Sequence, residues 1–366
     1  MDFLEKNIVT DKNDITKVYN TNFTAAFYFL AFMSLVVFAL SSLSDILTPI
    51  AIAILIWFLI NALANQIKKL PFMNSNFGEI MAIPISLIVI VYFMFEIGSF
   101  IASSMVELSS TISQLDGKFA LILEKISAYT SYDIITPIEK LFEQFSLATL
   151  INKVIAAFSS IFSNIIQILL YVLFLLLDQR FFNAKINALF SNYETRNKAK
   201  EVLTSISKTI RMYLSITTII SLLTGVLTYF ICLFFGLEGA VLWGFIAFVL
   251  NFIPTIGSII AVVIPFSFAL VQFTDFSTIF ALLICLIIVQ FSVGNILYPK
   301  LMGNKLNISQ FVVILSLVIW GAMWGTVGMF LSVPLMMILL IILSQFENTK
   351  PMAILISGDG KIFKAT

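Results

Sequence analysis

"NFIPTIGSIIA" (residues 251–261) interrupts one of the most apolar regions of the chain. Pro254 removes a backbone donor and Gly257 adds backbone freedom, while Asn251, Thr255 and Ser258 offer side-chain hydrogen bonds that compete with a helix. Such a stretch is a poor continuous helix in lipid, where every unpaired N–H and C=O group is costly. Unwound backbone is tolerated at membrane depth only where it is buried in protein or lines a wet cavity. The break therefore predicts a turn inside the membrane region, not a simple span.

The surrounding composition identifies the solvent. Hydrophobic residues make up 60% of the 366 positions and charged residues 11%, against about 45–50% and about 25% in soluble domains. This is the composition of an integral membrane protein. Net charge is +1, so neither nucleic acid nor an acidic substrate is advertised. With no histidine in the chain, imidazole metal sites, Ser-His pairs and imidazole proton relays are excluded. The two cysteines, Cys232 and Cys285, lie in apolar runs without metal-ligand spacing and read as packing residues. No metal, cofactor or catalytic residue is expected, and no GxxxxGK[ST] motif occurs for ATP.

A span needs about 20 apolar residues. Segments 23–40, 46–64, 81–105, 155–177, 213–235 and 277–297 fit. The first is too long for a signal core, follows an acid-bearing arm and is closely followed by another apolar run, so a retained helix is expected. Stretches 239–272 and 311–345 would each reach about 50 Å as straight helices. Both carry breakers near their middles, Pro254 and Gly257 in one and "WGAMWGTVG" (residues 320–328) in the other. Each reads as a helical hairpin. With a cytoplasmic N-terminus this topology puts 17 of the 21 basic residues inside, against 15 if both stretches are plain spans. The two hairpins then enter from opposite sides, so that their tips can meet.

The expected fold is an all-α integral membrane protein with about six full transmembrane helices plus two re-entrant helical hairpins, eight hydrophobic segments in all, and an amphipathic helical insertion. Along the chain this gives a cytoplasmic arm (1–22), three transmembrane helices (23–105), an external amphipathic insertion (106–150) and a fourth transmembrane helix (151–178). A basic cytoplasmic amphipathic helix (179–212), a transport core with both broken hairpins (213–346) and a cytoplasmic tail (347–366) follow. The insertion repeats Leu108, Ile112, Leu115, Phe119, Ile122 and Ile126 at helical spacing, and "TPIE" (residues 136–139) is a capping box. Its expected role is packing between subunits. The basic stretch carries seven cations from Arg180 to Arg211, a pattern suited to anionic lipid. Arg211, directly before a span, is placed to reach an inner vestibule.

Two interrupted segments in corresponding positions are the strongest sequence pointer to a transporter's site. Asn251, Thr255, Ser258, Asn295 and Thr326 can hydrogen-bond hydroxyls, while Trp320 and Trp324 offer flat apolar surfaces to a small ring. That set suits an uncharged polar solute. A cation/proton antiporter needs an intramembrane carboxylate. Glu96, in "YFMFEIGSF" (residues 92–100), is the one well-placed candidate for ion coupling. A non-transporting membrane scaffold is the third reading, and it would need none of the polar tip residues.

From about residue 200 onward the chain resembles the autoinducer-2 exporter family of bacterial permeases. The landmarks in order are "SLLTGVLTYFICLFFGLEGAVLWGFIAFVLNFIPTIGSIIAVVIP" (residues 221–265), "YPKLMGNKL" (residues 298–306) and "WGAMWGTVGMFLSVPL" (residues 320–335). The resemblance implies a multi-span exporter of small molecules in the bacterial cytoplasmic membrane, assembled as a homo-oligomer, a pentamer being the implied state. Some relatives are associated with autoinducer-2 efflux and others with sodium or lithium for proton exchange. By position, Pro254, Gly257, Pro299, Gly303, Gly321, Gly325, Gly328 and Pro334 match the family motifs. Tyr298 stands where many relatives carry an acid, and Gln310 where they carry proline, which removes an acid from the loop. The expected partners are a small-molecule solute, the lipid bilayer and further copies of the chain.

Overall fold

The computed structural model describes residues 24, 27–28, 30–70, 78, 80–100, 103, 163–303 and 307–361. The N-terminal arm, the amphipathic insertion 106–150 and Lys305 lie outside the described residues. The chain divides into two compact units, Met1–Thr48 and Pro49–Thr366. The first holds α1 (Leu30–Ser42) and the start of α2 (Ser44–Ile67). In the second, α3 (Ile80–Phe100), α4 (Ile165–Asp178) and α5 (Phe182–Leu189) follow the rest of α2. Then come α6 (Tyr193–Phe235), α7 (Ala240–Leu250), α8 (Ile256–Gln272), α9 (Phe276–Phe291), α10 (Tyr298–Met302), α11 (Gln310–Leu343) and α12 (Lys350–Ile356).

Among the described residues six helices are long and apolar enough to cross a membrane: Ser44–Ile67, Ile80–Phe100, Ile165–Leu189, Tyr193–Phe235, Phe276–Met302 and Gln310–Leu343. The described part of the first expected span is α1, and the stretch 239–272 forms two short apolar helices. The all-helical architecture agrees with the sequence.

The basic stretch and the following span, expected as separate elements, form the single 43-residue α6. No glycine or proline occurs between Glu194 and Thr224 to stop it. Its ends are capped instead. The Asn192 side chain accepts from the Glu194 amide at 2.8 Å, and Gly236 (φ 74°) supplies the left-handed residue that ends it. At 1.5 Å per residue the helix runs about 65 Å, roughly twice the hydrocarbon thickness.

After α6 the chain turns through Gly236 and Gly239, both at positive φ, and α7 lies back along α6. Gly225 and Gly244 make the crossing, since a Cβ on either would stand 2.7 Å from the other's carbonyl oxygen. α8 then returns beside α7. The Gln272 side chain donates to the Gly236 carbonyl at 2.7 Å and accepts from the Glu238 amide at 2.8 Å, while Trp243 and Phe268 pack with centroids 5.2 Å apart. Helices α7 and α8 are the limbs of a hairpin whose tip is Asn251–Thr255.

α11 reverses as well. Its backbone leaves helical geometry at Trp324 (φ −124°, ψ 15°) and Gly325 (φ 61°, ψ −144°). The Ser316 hydroxyl donates to the Ser332 carbonyl at 3.1 Å, whereas in a straight helix those residues would be about 24 Å apart. The 34 residues are therefore two antiparallel limbs, not one long rod. At the foot of this hairpin Ile308 bridges Ser357, and Asn307 binds the tail segment 358–361.

Among the described residues three apolar clusters hold the second unit together. One joins the α7–α8 hairpin to α6, α9 and Leu317, and includes Cys232, fully buried and unpaired as expected of a packing residue. The next joins α2, the middle of α6, Met302 and the second limb of α11. The last joins α2, α3 and α4.

Candidate functional site

The two tips meet. Phe252, at the first tip, stacks on Phe330, six residues past the Trp324 break, with centroids 5.0 Å apart and planes 26° apart. Behind Phe252 the Asn251 side chain donates to the Ser221 hydroxyl of α6 at 3.1 Å. Pro254 is half-buried, and Thr255 sits exposed at φ 62°, ψ −58° as the residue before α8. Positive φ is uncommon for a β-branched residue and marks stored backbone strain. The Ser258 hydroxyl turns back to the Thr255 carbonyl at 2.8 Å.

The motif glycines divide into two kinds. A Cβ on Gly257 would fall 1.7 Å from the Leu250 carbonyl oxygen, and one on Gly328 would fall 1.9 Å from that of Trp320, so both permit the limbs to touch. Gly325 has open space around it, but its φ of 61° requires a residue without Cβ strain. Gly321 faces the flexible Met329 side chain, Pro334 is buried in the second limb, and Gly303 (φ 53°) ends α10 after the exposed Pro299.

At the second tip Trp320 and Trp324 are half-buried with ring centroids 5.0 Å apart, and Thr326 is exposed beside Gly325. Asn295 does not join them. It is exposed in the π-helical stretch Ser292–Leu297, without a hydrogen bond to either tip. Glu96 is exposed on α3, one turn after Tyr92 and on the same face. Arg211 lines a cavity at the other end of α6 from the glycine turn.

A row of polar residues on α6 was not singled out from the sequence. Tyr213, Thr217, Ser221, Thr224 and Thr228 are all buried, with relative exposures of 0–2%. Their spacing of three and four residues puts them on one helix face, and that spacing was the available signal. Ser221 is met by Asn251 and Thr224 bonds its own helix at Ile220. Among the described residues the buried Thr217 hydroxyl has no partner at hydrogen-bond geometry, although it lies near Tyr213 and Tyr298, which belong to the cluster that also receives Trp324. Among the described residues no group of three or more acids and cysteines is arranged to hold a metal ion.

The profile of the AI-2E family transporters matches residues 26–348. The chain belongs to the AI-2E transporter family. It is similar to the AI-2 transport protein TqsA of Escherichia coli K12, 29% identical over 323 residues covering 87% of this chain and 91% of TqsA. A transport protein of Haemophilus influenzae is 37% identical over 229 residues, 62% of this chain and 65% of that one. The E. coli K12 transport protein YhhT is 25% identical over 339 residues, 91% and 93% of the two chains. As an AI-2E transporter whose described residues hold many long apolar helical segments, the protein is a multi-pass membrane transporter of the inner membrane. The family is one of permeases, not of enzymes. Both broken hairpins fall within the matched residues.

Proposed function

We propose that this transporter exports a small, polar, uncharged solute resembling autoinducer-2 from the cytoplasm, and that the solute binds where two re-entrant hairpins bring their tips together. The observation that carries the reading is the meeting of Phe252 with Phe330, next to the Asn251–Ser221 hydrogen bond. An amide, exposed hydroxyls at Thr255 and Thr326, and the Trp320–Trp324 pair supply what a hydroxylated ring needs: hydrogen bonds at its edge and flat apolar contact at its face. The name of TqsA supports the choice of solute class. The working assembly is a homo-oligomer, a pentamer, in the bilayer, with the 106–150 insertion between subunits and the tips moving against that frame.

Proteoliposomes loaded with candidate solutes, with and without a pH gradient, test the proposal. Asn251→Ala and Ser221→Ala should each lower efflux at least several-fold, and Asn295→Ala should not. Sodium or lithium/proton antiport is the competing reading, and Glu96 is its candidate coupling group. Glu96→Gln should keep efflux of a neutral solute within a few-fold. Loss of transport together with its pH dependence would establish antiport instead. Efflux no faster than from protein-free liposomes would favour the scaffold reading, and wild-type efflux by both variants would remove Asn251 and Ser221 from the solute path.

A further inference from the structure

A cavity of about 1080 Å³ opens at the basic end of α6, walled by α2, the end of α4, the Gln179–Phe181 turn, α5 and the first half of α6. Four cations line it: Arg180, Lys200, Lys208 and Arg211. Among the described residues Asp178 is the acid that lines it, and Lys185 pairs with that carboxylate at 2.6 Å. None of the four lining cations forms an ion pair among the described residues. The Arg211 Nε is buried and has no hydrogen-bond partner. A buried guanidinium donor left unmade is costly, and this one belongs to a residue on the cavity wall. On the cavity wall Gln179 accepts from Trp57 Nε1 at 2.8 Å and from Asn61 at 3.3 Å, which fixes the turn that carries Arg180.

Beside it lies a second, apolar groove of about 440 Å³ lined by Ile50, Ile54, Tyr171, Phe174, Leu175 and Leu177. The two share Ile54, Leu175, Asp178 and Arg180, so Arg180 stands at their junction. One ligand able to occupy both must be anionic at one end and apolar at the other.

We infer that this composite pocket is a binding site for an anionic phospholipid, its phosphate among Arg180, Lys200, Lys208 and Arg211 and one acyl chain in the Ile50–Leu177 groove. The basic-residue bias puts this end of α6 on the cytoplasmic side, where anionic headgroups attract cations near the membrane. A free phosphate would use the cavity and ignore the groove; the groove is the reason to choose lipid. The site is separate from the hairpin tips, and the lipid acts as a fixed partner of α6, not as cargo.

The test uses the full-length protein in neutral-lipid nanodiscs or detergent, with short-chain phosphatidylglycerol, phosphatidylcholine and inorganic phosphate as probes, read by native mass spectrometry and thermal stabilisation. Phosphatidylglycerol should bind about tenfold or more tightly than phosphatidylcholine, and lose that advantage as salt is raised. Lengthening its acyl chain should tighten binding. The pair Arg180→Gln and Arg211→Gln should remove the preference for phosphatidylglycerol, and Ile50→Trp, which fills the groove from a position that does not line the cavity, should weaken the lipid but not inorganic phosphate. Equal binding of the two lipids overturns the inference. So does inorganic phosphate that displaces the lipid at similar concentration with no effect of chain length, since the cavity is then an anion site without a lipid. Wild-type chain-length and salt dependence decide the matter even where a variant fails to fold. A site that binds as inferred while tip variants transport normally leaves the lipid and refutes only the solute proposal.

Discussion

Phe252 and Phe330 belong to different hairpins, 78 positions apart, yet their rings stack at 5.0 Å. Offset aromatic pairs contribute about 0.5–1.5 kcal/mol beyond the area they bury. Phe252→Ala and Phe330→Ala should therefore be non-additive. In a double-mutant cycle on thermal stability in detergent, coupling of about 0.5–1.5 kcal/mol is expected. Simple additivity would mean that the tips do not hold each other.

The glycines should separate by mechanism. Gly257→Ala and Gly328→Ala drive a Cβ into a backbone carbonyl, which no rotamer change relieves, so both should abolish transport and lower thermal stability. Gly325→Ala meets no atom and carries only the strain of a backbone conformation (φ 61°, ψ −144°) that side chains disfavour, about 1–3 kcal/mol. Its stability loss should be the smallest of the three. Equal losses at all three positions would contradict this division.

Asp275 caps α9, accepting from the Ser277 and Thr278 amides and hydroxyls. Those bonds favour the carboxylate and lower its pKa from 3.8 to about 2. A lowered folded pKa contributes stability that is fully present above the unfolded value and is lost as pH falls through the folded one. Hydrogen exchange at Ser277 and Thr278 should thus be faster in Asp275→Ala than in wild type at pH 6. The difference should fade as the pH approaches about 2.

The side of each hairpin's foot is open to labelling. Thr274 and Lys300 are both exposed, at the two ends of the α9 span. In a Cys285→Ala background, Thr274→Cys should react with an impermeant thiol reagent added outside intact cells, and Lys300→Cys only after permeabilisation. The opposite pattern would reverse the topology on which the cytoplasmic lipid site rests.

Breakers were the legible part of the fold. Proline and glycine interrupt a helix through the backbone itself, so Pro254 with Gly257, and Gly325 with its neighbours, announced both reversals without knowledge of any contact. The continuity of α6 was less visible, because its change from basic to apolar at Arg211 looks like a boundary although nothing in the backbone breaks. At the site, the tip residues were found through their polarity in an apolar setting. The buried hydroxyl face of Thr217, Ser221 and Thr224 was hidden by abundance, since small hydroxyl residues are common in membrane helices as packing elements. Asn295, exposed in the π-helical stretch Ser292–Leu297, shares the chemistry of the tip residues but makes no hydrogen bond to them among the described residues.

Asn307 accepts the amides of Gly358 and Asp359 and donates to the Lys361 carbonyl, while Ile308 bridges Ser357. The two feet of the second hairpin are thereby clasped to each other. Every bond of the clasp lies within residues 307–361, so hairpin and tail can travel as one piece with all of them intact, whereas prising the limbs apart must first undo them. The angle between the limbs is then held from outside the membrane, and loosening Asn307 changes the shape of the moving piece without touching the solute.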